Sequence, residues 1–179
     1  TLTYTFTNAN GCTSAVSTNF TVNALPTAAI TANGPTTFCQ GGNVTLTAST
    51  GTSYLWSNGA TTASIVTSTS GNYVVTVTNA NGCSAVSAPM TVTVNPLPVA
   101  AVTANGPTTF CQGGSVTLVA STGVAYAWNN GPITQSITVT TSGTYSVTVT
   151  SADGCTATST GMVVTVNALP TPTITASGA

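Results

Sequence analysis

Two stretches of this chain are nearly identical: TANGPTTFCQGGNVTLTA at residues 31–48 and TANGPTTFCQGGSVTLVA at residues 103–120. They begin 72 residues apart. When residues 25–96 are aligned with residues 97–168 at that step, about two-thirds of the positions are identical. Self-similarity at a fixed period indicates a tandem-repeat architecture. The sequence therefore predicts two successive copies of one small domain, the first spanning residues 25–96 and the second residues 97–168.

Two shorter segments flank these copies. The hexapeptide TNANGC at residues 7–12 recurs at 78–83, so residues 1–24 are interpreted as the C-terminal part of a preceding repeat. Residues 169–179 open with the same Leu-Pro as each full repeat and are interpreted as the start of a following one. The sequence has no initiator methionine and no signal-peptide pattern. We therefore expect the chain to be a window on a longer array.

The 179 residues carry almost no charge: there is no Lys, Arg or His, and Asp153 is the one acidic residue. This composition excludes a basic surface for nucleic acid. It also lacks the His, Lys and paired carboxylates of acid–base catalysis and the ligands of Ca²⁺ and His-based metal sites. No apolar run reaches the ~18 to 20 residues of a membrane helix. We expect a non-enzymatic protein with no cofactor, no metal, no nucleic-acid partner and no direct membrane span.

The composition and the periodicity both favour β-structure. Thr, Val, Ala, Ser and Asn are abundant, whereas strong helix formers are nearly absent. Val44, Leu46 and Ala48 alternate with polar residues, and Val75 and Val77 do the same further along. Such alternation is typical of strands with one buried and one wet face. Six or seven such strands in 72 residues predict an all-β domain built as a small two-sheet sandwich.

Two details point to an immunoglobulin-like form of that sandwich. A tryptophan, Trp56 or Trp128, stands on the third strand of each repeat. A Gly-x-Tyr motif ending at Tyr73 or Tyr145 stands where such folds often place a tyrosine corner. We therefore predict tandem immunoglobulin-like β-sandwich repeats of 72 residues, with these four aromatic side chains in the cores.

The order of motifs within each repeat resembles a known family. CQGG is followed by Tyr-x-Trp with SNG or NNG, then by SGxY, then by NANGC or SADGC. This order resembles the immunoglobulin-like and PKD-like repeats of very large adhesins secreted by gliding Bacteroidota, in particular SprB-type gliding-motility repeats. The resemblance covers essentially the whole chain, although Leu2 stands where the corner tyrosine should be in the partial first repeat. It implies export, anchoring at the cell surface elsewhere in the polypeptide, and a role in adhesion or gliding.

The cysteines also recur at the period of the repeat. Cys39 and Cys83 in the first repeat correspond to Cys111 and Cys155 in the second, and Cys12 belongs to the partial repeat. A recurring pair in a small domain is typical of a structural disulfide formed in an oxidising, extracellular compartment. A zinc site would need more ligands than two cysteines per repeat without histidine. Free thiols remain the other alternative.

The sequence leaves the connectivity of these cysteines open. In standard immunoglobulin topology the two cysteines of one repeat lie at opposite ends, which favours a bridge from Cys39 to Cys155 across the repeat boundary. However, only about 15 residues separate the third strand from the tyrosine-corner strand, which is room for one strand. One intervening strand would bring both cysteines of a repeat to the same end. We therefore expect Cys39–Cys83 and Cys111–Cys155, with Cys39–Cys155 as the alternative.

The linkers complete the functional prediction. Successive repeats are joined by Val-Asn-Ala-Leu-Pro or Val-Asn-Pro-Leu-Pro, with no flexible Gly/Ser spacer. Proline restricts the backbone, so neighbouring repeats are expected to stack on one another as a semi-rigid rod. We predict the stalk or filament of a secreted bacterial cell-surface adhesin, whose partners are neighbouring repeats of the same chain. A self-assembling fibre or sheath of lateral copies is one alternative, and a glycan-binding module with an exposed Trp56 is another.

Overall fold

The computed structural model describes residues 1–174 of the chain, which form twenty short β-strands. In the first half these are β1 (Leu2–Thr7), β2 (Thr13–Thr18), β3 (Ile30–Ala32), β4 (Thr37–Cys39), β5 (Val44–Ala48), β6 (Ser53–Trp56), β7 (Ser64–Thr67), β8 (Gly71–Tyr73), β9 (Val75–Thr78), β10 (Ser84–Val86) and β11 (Met90–Asn95). In the second half they are β12 (Val102–Asn105), β13 (Thr109–Cys111), β14 (Val116–Ala120), β15 (Ala125–Trp128), β16 (Ser136–Val139), β17 (Gly143–Tyr145), β18 (Val147–Thr150), β19 (Thr156–Thr158) and β20 (Met162–Asn167). Across residues 1–174, no helix is long and apolar enough to cross a membrane. Part of the segment interpreted as a following repeat, residues 175–179, lies outside the described residues.

Strand pairing in residues 97–168 follows an immunoglobulin-like plan. β12, β14 and β16 form one antiparallel sheet, and β15, β18 and β19 form a second. β20 pairs in parallel with β13 and antiparallel with β17. The equivalent strands of residues 25–96 pair in the same way. In each repeat the first, third and fifth strands thus form one layer and the fourth, seventh and eighth form the other, as in immunoglobulin-like sandwiches. The expected all-β sandwich is confirmed.

One strand of each repeat crosses from one sheet to another. β8 pairs with β11, whereas β9, which begins two residues after β8 ends, pairs with β6 and β10. Val74 lies between them, and its N–H donates to Ser57 Oγ at 3.2 Å while its carbonyl oxygen accepts from the Ser57 N–H at 2.8 Å. The N–H of Val75 donates to the buried Ser87 Oγ at 3.1 Å. Side chains thereby replace the ladder hydrogen bonds that are interrupted at the crossing.

The core of the second repeat collects side chains from all three of its sheets. Leu118 of β14 and Val147 and Val149 of β18 are completely buried, and Trp128 of β15 is 4% exposed. The cluster consists of Val116, Leu118, Ala120, Trp128, Ile137, Val139, Tyr145, Val147, Val149 and Val164. These are the inward positions of the predicted two-residue alternation. Burial of this single apolar set holds the layers together.

Tertiary contacts divide the chain into two compact units. The first comprises Thr1–Thr36 and Asn43–Val92, and the second comprises Thr37–Gly42 and, among the described residues, 93–174. The six residues of Thr37–Gly42 are therefore part of the second unit, although they lie within the first 72-residue sequence repeat. This segment contains β4 and Cys39.

The partial repeat at the start of the chain forms a two-stranded hairpin, β1 with β2. Its TNANGC turn aligns with residues 78–83, which places Tyr4 and Phe6 in register with Val75 and Val77. Tyr4 is 64% and Phe6 57% exposed, whereas both valines are completely buried. The hairpin thus presents to solvent the face that is the core face of a full repeat.

Candidate functional site

The described part of the chain offers no assembled catalytic chemistry. Asp153 is exposed on the turn between β18 and β19. Within residues 1–174 no group of three or more His, Cys, Asp or Glu side chains is close enough to hold a metal ion. The most distinctive chemical feature of these residues is a covalent bond between two sequence repeats.

That bond is a disulfide between Cys39 and Cys155, 116 residues apart in sequence, with their Cα atoms 5.6 Å apart. Cys12, Cys83 and Cys111 are free thiols. The expected pairing within each repeat, Cys39 with Cys83 and Cys111 with Cys155, is therefore wrong. The bond is the alternative bridge from Cys39 to Cys155 across the repeat boundary.

The topology explains why a within-repeat bond is excluded. Cys111 ends β13, and its partner on β20 is Asn167, three residues beyond Val164, which pairs with Gly143 at the start of β17. Cys111 thus lies past the beginning of the β17–β18 strand. Cys155 lies past the end of that strand, at the opposite end of the sandwich. β14 begins only five residues after Cys111, so β14 and the β17–β18 strand start at the same end of the sandwich. The expected within-repeat bond required these two strands to run in opposite directions.

Cys155 lies at the end of β11, in a site formed by Cys39, Gln40 and Asn95 that we call the cysteine seat. Its side chain is only 1% exposed, and its Sγ lies 4.0 Å from the carbonyl oxygen of Asn95. The same carbonyl accepts a hydrogen bond of 2.8 Å from the N–H of Gln40. Asn95 belongs to the Val-Asn-Pro linker that leads into the second repeat. The turn that carries Cys155, residues 151–155, is called the Gly-Cys corner below, as is its equivalent 79–83.

The Gly-Cys corner of the first repeat also contacts the linker that precedes it. Asn79 Nδ2 donates a hydrogen bond of 2.9 Å to the carbonyl oxygen of Ala24. Ala24 is equivalent to Pro96, the residue after Asn95, and Asn79 is equivalent to Ser151. In both repeats, therefore, the corner is placed against the last residues of the preceding Val-Asn-Ala/Pro segment.

A third copy of this linker segment borders an open pocket. The pocket has a volume of about 300 Å³ and is lined by Gln112, Thr140, Thr141, Ser142, Val166, Asn167 and Ala168. Gln112 and Asn167 repeat the contact of Gln40 with Asn95, with an N–H to O distance of 2.8 Å. Cys111, beside Gln112, is exposed, whereas the equivalent Cys39 is half-buried.

The four predicted core aromatic residues are all buried. Trp56 is 2% exposed and donates its indole N–H to the carbonyl oxygen of Thr62 at 2.8 Å, and Trp128 does the same to Thr134 at 2.9 Å. With its ring in the core and its N–H bonded, Trp56 has no free face on which a sugar could stack.

The two corner tyrosines are 6–7% exposed and are anchored through their hydroxyl groups. Tyr73 donates to the carbonyl oxygen of Thr69 at 3.1 Å and also contacts the hydroxyl of Thr67. Tyr145 donates to the carbonyl oxygen of Thr141 at 2.9 Å. A tyrosine bonded to backbone a few residues upstream is the tyrosine corner of immunoglobulin-like folds.

Sequence reasoning missed the residues that hold the sheet crossing. In the second repeat Asn129 Oδ1 accepts from the N–H of Ser146 at 3.1 Å, and Ser159 Oγ accepts from the N–H of Val147 at 3.1 Å. Ser57 and Ser87 do the same in the first repeat. The signal was present, because the SNG and NNG motifs keep a side-chain acceptor at this position.

Comparison with known proteins does not assign a family. No protein-family model matches the chain, and no curated protein sequence matches it. Among solved structures, the three N-terminal domains of the highly immunogenic outer capsid protein (Hoc) of bacteriophage RB49 are similar, with 23% identity and a TM-score of 0.41 over 78% of this chain. This chain spans 59% of the length of that structure.

Two further structures share the same level of likeness. Murine CEACAM1b is 13% identical over 79% of this chain and all of its own, with a TM-score of 0.40. The fibronectin(III)-like modules of CbhA from Clostridium thermocellum are 15% identical over 76% of this chain and 94% of theirs, with a TM-score of 0.34. These likenesses concern the fold alone and assign no activity or ligand.

Proposed function

We propose that this chain is a non-enzymatic structural segment of an extracellular protein, forming the stalk of a secreted bacterial surface adhesin. Its task is to hold a binding region away from the cell, and its immediate partners are neighbouring repeats of the same chain. The disulfide and the all-β sandwich fold are both typical of extracellular domains. The resemblance of the repeat motifs to gliding-motility adhesins supports the bacterial cell surface as the location.

The observation that carries this proposal is the bond between Cys39 and Cys155. It joins residues of successive repeats rather than residues of one repeat. A bond within a repeat would stabilise that domain alone. Here both cysteines lie in the second compact unit, and the bond ties the Thr37–Gly42 segment of the first sequence repeat covalently to the second repeat, which suits a segment that transmits tension.

Force spectroscopy tests this proposal directly. When the oxidised chain is pulled from its two ends, the loop of 116 residues closed by the disulfide cannot extend. The Cys39→Ser variant should therefore lengthen by about 400 Å more, because an extended residue spans at most ~3.3–3.6 Å. The Cys12→Ser variant, which removes a free thiol, should extend like the parent chain and serves as the control.

Two outcomes would contradict the stalk. One is a parent chain that extends as far as the Cys39→Ser variant. The other is unfolding of the oxidised chain at forces no higher than those that unfold the reduced chain. In the second case the bond would exist without contributing mechanical strength.

A self-assembling fibre remains the second candidate, because near-zero charge removes the repulsion that keeps most proteins apart. Sedimentation velocity over a concentration series separates the candidates, since a fibre subunit associates and a stalk segment stays monomeric. The glycan-binding alternative loses its support, because it required an exposed Trp56.

A further inference from the structure

The Gly-Cys corners and the linker segments occur in matched positions along the chain. The corner of the first repeat contacts Ala24, and the corner of the second contacts Asn95 and is bonded to Cys39. The third linker segment, residues 166–168, borders the open pocket of about 300 Å³, which is also lined by Gln112, the residue that follows Cys111. Two of the three linker segments thus contact a Gly-Cys corner, whereas the third, residues 166–168, borders an open pocket.

We propose that this pocket is the docking site for the Gly-Cys corner of a further copy of the repeat, which forms a disulfide with Cys111. The proposal goes beyond the stalk function and does not depend on it. The occupant is identified by equivalence: residues 111, 112 and 167 repeat the arrangement of 39, 40 and 95, which receives Cys155.

The exposure of Cys39 and Asn95 differs from that of Cys111 and Asn167 as expected if the cysteine seat beside Cys111 is empty. Cys39 and Asn95, whose seat is filled, are half-buried. Cys111 and Asn167, at the equivalent positions, are exposed. The backbone hydrogen bond between residue 112 and residue 167 is already formed at 2.8 Å, as in the filled seat. The receiving geometry therefore exists before the corner arrives.

The same register explains the other two free thiols. Each bond joins a cysteine of the CQGG type to the Gly-Cys cysteine of the next repeat, 116 residues later. Cys111 is of the first type, whereas Cys83 and Cys12 are of the second. Each of the three is thus one half of a bond whose other half belongs to a different repeat. Repeated along an array, these bonds form a covalent ladder in which every repeat is linked to the one before and the one after.

The bond formation is an oxidation and requires an acceptor of electrons. The thiol of Cys111 and the thiol of the incoming cysteine together lose two protons and two electrons as the S–S bond forms. A small-molecule disulfide such as oxidised glutathione takes up both and becomes two thiols, by exchange through a mixed disulfide. An oxidising extracellular compartment supplies this reagent class.

The test keeps the full chain and inserts after Ala168 one additional copy of residues 97–168. In the copy only, Gln112→Asn and Thr156→Ser are introduced next to the two cysteines, so that its cysteine peptides differ in mass from those of the original repeat. After oxidation in a glutathione buffer, non-reducing peptide mapping should link Cys111 to the second cysteine of the added copy. The Cys39–Cys155 bond should be retained. A Cys111–Cys155 peptide, or Cys111 recovered as a free thiol, would overturn the ladder.

Two variants of the extended chain show whether the seat directs the bond. In the Cys39→Ser variant, Cys155 becomes a free thiol that can compete for Cys111. Cys111 should still form its disulfide with the second cysteine of the added copy. Ala168→Trp places a bulky ring in the pocket and should slow the formation of the Cys111 bond at least tenfold. Ala127→Trp, at an exposed position of β15 outside the pocket, is the matched control and should leave the rate unchanged. Equal rates for the two tryptophan variants would show that the pocket does not receive the corner.

Discussion

The phenolic hydroxyl of Tyr145 donates a hydrogen bond of 2.9 Å to the carbonyl oxygen of Thr141, four residues upstream. The ring is 6% exposed, so the hydroxyl group is held away from water. We expect Tyr145→Phe to lower the free energy of unfolding by about 1 kcal/mol, because the carbonyl loses a donor in a buried place. Tyr4→Phe alters a tyrosine that is 64% exposed and should change nothing measurable. Denaturant unfolding followed by fluorescence compares the two, and equal effects would show that the corner bond does not stabilise the fold.

The thiol count distinguishes the two disulfide connectivities. The bond from Cys39 to Cys155 leaves three free thiols, whereas pairing within each repeat would leave one. We expect a thiol reagent to titrate three groups in the folded, oxidised chain. Cys12 and Cys111 should react fast because they are exposed, and the half-buried Cys83 more slowly. A count of one would restore the within-repeat pairing.

Gly51 cannot accept a side chain. A Cβ placed there would lie 2.4 Å from Val77 Cγ1 and 3.0 Å from the carbonyl oxygen of Thr78. Gly51→Ala should therefore destabilise the fold by about 1–3 kcal/mol through overpacking. At Gly71 the nearest atom to such a Cβ is 3.7 Å away, on the ring of Tyr73, which is ordinary contact. Thermal unfolding should show Gly71→Ala close to the parent chain, and a larger loss at Gly71 than at Gly51 would contradict the packing.

Equivalent positions of the hairpin and of the first repeat should respond differently to truncation. Val77→Ala empties a completely buried site and should cost about 2 kcal/mol. Phe6→Ala, at the aligned position of β1, should cost less than about 0.5 kcal/mol, because Phe6 is 57% exposed. Denaturant midpoints measure both. A comparable loss at Phe6 would mean that this face of the hairpin is covered in solution.

Stability should be nearly independent of pH. It depends on pH only where the folded and unfolded states bind different numbers of protons. The chain has one carboxyl side chain, no imidazole, and no cationic side chain that could pair with the exposed Asp153. We expect the free energy of unfolding to vary by less than about 1 kcal/mol between pH 3 and 7. Denaturant titrations at several pH values measure it, and a loss of several kcal/mol on acidification would contradict the expectation.

The cores could be predicted from the sequence because they depend on local periodicity. Val44 and Leu46 alternate with polar neighbours, and one buried face follows from that pattern whatever the topology. Tyr73 could be placed because Gly-x-Tyr is a local motif with a known position in such folds. The sheet crossing at Val74 could not be predicted from the hydrophobic pattern, since the alternation of buried and polar residues continues unbroken on both sides of it.

The connectivity of the disulfide could not be predicted for a different reason. It depends on β4 and β13, three-residue strands that pair in parallel with the last strand of the repeat. Thr109–Cys111 is too short to show a periodicity of its own. Its position is fixed by a partner more than fifty residues away, Thr165–Asn167. The expected single strand between Trp128 and Tyr145 is present as β16, but β14 and the β17–β18 strand nevertheless begin at the same end of the sandwich.

The bridge between Cys39 and Cys155 also determines what a protease can do to this chain. Any single peptide bond broken between residues 39 and 155 lies inside the closed loop, so the two ends of the polypeptide remain joined through sulfur. Trypsin finds no Lys or Arg in this sequence. Another protease releases the part beyond the loop only by cutting outside residues 39–155, or after a thiol reductant has opened the disulfide. The chain thus survives isolated nicks between residues 39 and 155 without losing the part that lies beyond the bridge.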